Sequence, residues 1–158
     1  MRLLRIGVFF VCSIPAISLI TRLFGGNLGV NPVETLTLET GVWALRFLLI
    51  TLAITPLRQI TGAAWLVRFR RQLGVWAFFY AAAHFSVYAV CDHGLVMASI
   101  IDDVVKRPFV LVGMAALIML VPLAVTSTKG WMRRLGHYWK QLHWLVYPAT
   151  TLGLLHFF

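Results

Sequence analysis

The sequence predicts an all-α membrane protein, a polytopic bundle of five transmembrane helices with its N-terminus in the cytoplasm. Three observations lead there. Of the 158 residues, 60% are hydrophobic and only 12% charged, whereas a soluble domain carries about a quarter charged residues. The apolar residues gather in five runs near the length of a bilayer span, about 20 residues with latitude for tilt. The basic residues behind the net charge of +9 sit in short clusters between those runs. That is the arrangement of membrane-flanking loops, not of a nucleic-acid surface. All of 1–158 is expected to form one domain.

The first run, IGVFFVCSIPAISLITRLF, covers residues 6–24. Arg2 and Arg5 precede it as in a signal peptide, but no small-x-small cleavage site follows cleanly and four more runs do, so it reads as a retained anchor. The second, 41–57, follows a Gly- and Pro-rich loop with helix-cap residues at Asn31 and Thr40. The third is 73–91 and the fourth 108–126, where Pro108 suits a first helical turn because its missing N–H is not needed there. The fifth begins near Gln141 and reaches Phe158. Loops are short, so consecutive helices are expected to be antiparallel neighbours. No internal repeat or low-complexity tract is visible.

Charge sets the orientation. With the N-terminus inside, the inner ends carry ten basic residues: Arg2, Arg5, Arg58, Arg68, Arg70, Arg71, Lys129, Arg133, Arg134 and Lys140. The outer loops carry three, Arg22, Lys106 and Arg107, together with all five acids. A membrane is the expected location, with lipid as the surrounding partner and no nucleic acid.

Histidine is the informative residue type. Ionisable side chains within a membrane are costly and usually face the bundle interior. His84 lies ~17 Å into the third segment and His156 ~22 Å into the fifth, at 1.5 Å per residue. Both segments run outward, so the two imidazoles fall at similar depth in the outer half. Two imidazoles at one level on like-directed helices can clamp a metal or a heme iron. The alternative is a pair of unrelated core histidines, each bonded to a nearby backbone or hydroxyl group. His143 sits at the inner end of the fifth segment, ~140° around an ideal helix from His156, with Pro148 between them. Arg70 shares a face with His84, about 40° off four full turns. Arg46, within the second segment, either snorkels to the interface or neutralises an acidic cofactor group. His137 and His93 read as surface residues. Six tryptophans fit an interfacial aromatic belt. Cys12 and Cys91 have no metal or heme-attachment spacing. There is no nucleophile–base constellation, no phosphate loop and no room for a flavin or nicotinamide domain, so any electrons must be delivered and taken by partners.

The stretches NPVETLTLETGVWALRFLLITLAITPLRQITG, RFRRQLGVWAFFYAAAHFSVYAV and KRPFVLVGMAALIMLVPLAVTSTKGWMRRLGHYWKQLHWLVYPATTLGLLHFF resemble the MsrQ (YedZ) family, within the ferric reductase-like transmembrane group. The specific parts are the NPVE loop, RRxLG before the histidine helix, KRP, LAxTST and RxLGxxWxxLHxLVY. The resemblance covers nearly the whole chain. It implies heme b, one or two, with His84 and His156 as a bis-histidine pair and His143 at a third heme-ligand position. The wider group has a further histidine on helix three where this chain has Arg70. The resemblance also implies electrons entering from quinol or a flavin reductase on the cytoplasmic side, with flavin mononucleotide and quinone as further candidate groups. They leave to a periplasmic molybdopterin subunit of MsrP type that repairs oxidised methionine, so catalysis belongs to the partner. Family members continue past the last histidine into a sixth helix and a cytoplasmic tail. Five helices are expected in this chain, with the sixth family helix absent. The rival readings are a stand-alone quinol or ferric reductase cytochrome, a non-redox membrane protein, and a zinc site on the same histidines. Zinc wants a third or fourth ligand, and no carboxylate lies within the spans.

Overall fold

A computed structural model describes residues 2–158. The chain divides into two compact units, Met1–Cys91 and Asp92–Phe158.

The first unit holds α1 (Arg2–Phe24), α2 (Pro32–Thr61), a 3-10 turn at Ala64–Leu66 and α3 (Val67–Val87). Helix α2 starts nine residues before the expected boundary. Asn31 is its N-cap, with Oδ1 accepting from the Glu34 N–H at 3.3 Å, and Pro32 occupies the first turn. Thr40 is therefore no cap. It lies buried inside the helix and donates to the Leu36 carbonyl at 2.6 Å, which satisfies its hydroxyl within its own helix. Gly62 ends α2 at φ 70°, its N–H on the Arg58 carbonyl, the left-handed stop that glycine adopts without a Cβ penalty. The chain then turns straight into α3, making α2 and α3 an antiparallel hairpin. Arg70 near the start of α3 reaches Thr55 late in α2, and His84 late in α3 reaches Thr37 early in α2. Small residues let the backbones approach: Ala44 and Ala77 are buried, Ala77 completely.

Helix α1 joins this hairpin through Tyr80. Pro15 removes one backbone donor from α1. Just beyond it, the Tyr80 hydroxyl accepts from the Ala16 N–H at 2.9 Å and donates to the Cys12 carbonyl at 2.9 Å. Those two groups are the i, i−4 pair of a regular helix, so the phenol is inserted at the ladder. Arg22 near the C-terminal end of α1 pairs with Glu39 of α2 at 2.6 Å. Beyond α3 the chain widens into a π-helical turn at Tyr88–Asp92.

The second unit holds α4 (Met97–Lys106), α5 (Pro108–Val125), α6 (Lys129–Leu135), α7 (Tyr138–Leu142), a 3-10 turn at His143–Leu145 and α8 (Val146–Phe157). Helix α4 lies where the sequence suggested only an outer loop. It is too short and too charged to register as a span, and its exposed Met97, Ile101 and Val105 form a one-sided stripe. Asp102–Lys106 and Asp103–Arg107 ion pairs lie along it. Pro108 opens α5 as expected. Helix α8 returns along α5, with His156 near its end against Phe109 near the start of α5.

The fifth segment is not the single uniform span expected. Pro148 cannot donate to the Trp144 carbonyl. The chain tightens to 3-10 geometry at His143–Leu145 and α8 restarts at Val146, which puts Pro148 in a first turn. Helix α8 alone has 12 residues. Among the described residues four helical stretches, not five, are long and apolar enough to cross a membrane: Arg2–Phe24, Pro32–Thr61, Ala64–Asp92 and Pro108–Val125. These make the chain a multi-pass membrane protein.

Candidate functional site

In the first unit, His84 is half-buried on α3 and its Nδ1 lies 2.8 Å from the Thr37 carbonyl of α2. A carbonyl only accepts, so Nδ1 carries the proton and the lone pair is on Nε2. The ring lies so close to α2 that a Cβ on Gly41 would come within 3.0 Å of Nδ1 and 3.2 Å of Cε1. The Nδ1 edge faces that helix, leaving Nε2 on the far edge. Arg70, also half-buried, donates to Thr55 Oγ1 at 3.3 Å. It lies at the other end of α3 from His84. Arg46 is exposed, its guanidinium 4.7 Å from the Trp43 ring centroid; it stacks along the outside of α2 rather than lying buried in the hairpin.

In the second unit, His156 repeats the arrangement. Its Nδ1 is 2.7 Å from the Phe109 carbonyl of α5, fixing the same tautomer. Phe109 also stacks on the imidazole at 6.0 Å between centroids. A Cβ on Gly113 would lie 2.7 Å from both Nδ1 and Cε1. His143 is held differently, by the helix preceding it. Its Nδ1 donates to the Trp139 carbonyl at 3.0 Å and its ring stacks on the Trp139 indole at 3.8 Å. Trp139 in turn donates from Nε1 to the Thr126 carbonyl at the end of α5, at 2.9 Å. Along the helical run His143 and His156 are ~20 Å apart at 1.5 Å per residue, so no single ion joins them.

His137 is exposed beside Tyr138, as expected of a surface residue. His93 is less exposed than expected: its Nδ1 is 2.7 Å from Ser99 Oγ and its Nε2 is 3.6 Å from Asp103. Both cysteines are free, Cys12 buried and Cys91 exposed.

The donor set discriminates between kinds of metal site. Among the described residues no three His, Cys, Asp or Glu side chains cluster to hold an ion, whereas a protein zinc site needs three or four. Imidazoles that belong to no such cluster, with the proton fixed on Nδ1, suit a metal whose other ligands come with it, as a macrocycle supplies them.

Residues 40–154 match the family described as ferric reductase like transmembrane component. A protein of Ralstonia nicotianae, a protein-methionine-sulfoxide reductase heme-binding subunit MsrQ, is 45% identical over 99% of this chain and 73% of its own length. The chain belongs to the MsrQ family. Two further MsrQ subunits, from Xanthomonas euvesicatoria and Xanthomonas oryzae, are 54% and 55% identical over 84% and 82% of the chain. The chain spans about three fifths of the length of these Xanthomonas relatives, 62% and 60%. No solved structure matches. The family match takes in His84 and His143 and stops just short of His156.

Sequence reasoning found the three histidines and missed what holds them. Main-chain carbonyls at Thr37 and Phe109 carry no mark in the sequence. Gly41 and Gly113 do: each precedes its histidine by the same number of residues.

Proposed function

We propose that the chain is a heme b electron-transfer subunit of the bacterial inner membrane, N-terminus inside, serving a periplasmic methionine sulfoxide reductase. His84 and His156 would hold heme iron, and His143 is the candidate ligand of a second heme. One observation carries this reading. In a member of a family named for heme binding, His84 and His156 each commit Nδ1 to a main-chain carbonyl at 2.8 and 2.7 Å, which makes Nε2 the ring nitrogen that would ligate iron. A core histidine would also make such a bond, but it needs no matched glycine beside the ring. Bound heme supplies a one-electron couple. The chain's own work is to fix the tautomer and ring plane of each imidazole, so that neither has to reorganise when the metal's charge changes. Arg70 and Arg46 are the candidate cations for acidic cofactor groups such as propionates. Arg70, half-buried and hydrogen-bonded, is the better anchored of the two.

The fifth crossing in this reading is the helical run 138–157, its 3-10 turn included. The relatives' name supports a partner subunit that reduces methionine sulfoxide, here of the MsrP molybdopterin type. Electrons are drawn from the quinone pool or a cytoplasmic flavin reductase, with flavin mononucleotide or quinone as accessory groups. The test is a dithionite-reduced minus oxidised spectrum of the detergent-purified chain beside His84→Ala and His156→Ala. Sharp b-type bands lost in both variants are expected; a colourless but folded parent refutes the proposal.

A further inference from the structure

Glycine inside a helix is disfavoured by about 1 kcal/mol relative to alanine, and neither Gly41 nor Gly113 has a positive φ that would require it. What both have is an imidazole against the bare Cα. In each unit the histidine bonds a carbonyl 47 residues before it, and the glycine follows that carbonyl by one helical turn. The two sets are related by a constant shift of 72 residues, from Thr37 to Phe109, from Gly41 to Gly113 and from His84 to His156. The same shift carries buried Ala44 to Ala116, Leu48 to Leu120 and Ala77 to Ala149, and both members of that last pair are 0% exposed. So although no repeat is visible in the sequence, the α2–α3 and α5–α8 hairpins present their histidines by one device at one register.

We propose that Gly41 and Gly113 are matched positioning residues for the two imidazoles, each admitting the ring close enough for Nδ1–H to reach the carbonyl one turn earlier. The inference rests on the heme reading for its purpose but not for its geometry. A Cβ at 113 would stand 2.7 Å from ring atoms, which no real contact tolerates, and at 41 it would stand at 3.0 Å. Alanine at 113 must therefore displace its ring further than alanine at 41. Gly74 on α3 is the control, because its Cβ would meet nothing nearer than Thr51 Cγ2 at 3.8 Å.

The experiment uses the full chain carrying Gly41→Ala, Gly113→Ala or Gly74→Ala. Two readouts are needed: heme retention with the low-spin electron paramagnetic resonance signal of the oxidised protein, and histidine tautomers by nitrogen-15 resonance on heme-free protein. Loss of an outer-shell partner costs about 10- to 100-fold in metal affinity. That loss is expected at 41 and 113, larger at 113, with Gly74→Ala unchanged. In heme-free protein the Nδ1-protonated signal of His84 should be lost only in Gly41→Ala, and that of His156 only in Gly113→Ala. Unchanged tautomer signals in all three variants, or equal tautomer losses in all three, overturn the proposal. A parent that takes up no heme yet shows the paired tautomer losses refutes the heme reading and upholds the positioning role. A parent that holds heme and keeps it in both variants does the reverse.

Discussion

Replacing Tyr80 by Phe removes one oxygen from a buried side chain and leaves its ring in place. Tyr80 is 3% exposed, and its ring stays packed on Phe47 and Trp76, at centroid separations of 5.3 and 6.0 Å. What is lost is a donor to the Cys12 carbonyl and an acceptor for the Ala16 N–H. Hydrogen bonds between helices in a membrane average ~0.6 kcal/mol and reach ~1.7, so two of them amount to about 1–3 kcal/mol. The lower half of that range applies if α1 closes its own Cys12–Ala16 bond once the phenol oxygen is gone. We expect 1–2 kcal/mol, expressed as easier separation of α1 from the hairpin. Cys12 reports this directly, being 2% exposed beneath the contact. With Cys91→Ser as background, the maleimide labelling rate of Cys12 in detergent should rise about tenfold for each 1.4 kcal/mol by which opening is eased. A labelling rate within twofold of the parent would refute the idea that Tyr80 fastens α1 through its hydroxyl.

Other outcomes follow from the same structure. Asn31→Ala should destabilise the start of α2 by about 1 kcal/mol, read as faster amide hydrogen exchange over residues 33–36 with the hairpin unaffected. Glu39→Gln breaks the Arg22 pair, whose side chains are 38% and 36% exposed. Its cost should be under about 1 kcal/mol and should vanish at high salt, as detergent thermal melts at two ionic strengths would show.

The membrane class was legible because composition and run length suffice for it, and Pro108 and Asn31 announced their helix starts by residue type. In the fifth segment the 3-10 turn at His143–Leu145 was not legible. Hydropathy averages over a run and carries no record of local helix geometry. Helix α4 was overlooked for a related reason, since its stability comes from a one-sided stripe and i, i+4 ion pairs that an average over the segment erases. At the site, a histidine within an apolar run is conspicuous. Its acceptor is a main-chain atom of a residue 47 positions away, and only the fold makes that residue a neighbour. Gly41 and Gly113 were readable in principle, but one matched glycine in a long apolar helix is lost among Ala and Leu until the ring beside it is seen.

Because the anchors of His84 and His156 are peptide oxygens, they are indifferent to the side chains that bear them. Thr37 can be exchanged for almost any residue that keeps the helix, and the acceptor survives; at Phe109 the acceptor survives too, but the ring stacked on His156 is lost. A conventional alanine survey would therefore pass over the point that orients His84, and natural drift at position 37 is free to proceed without disturbing it.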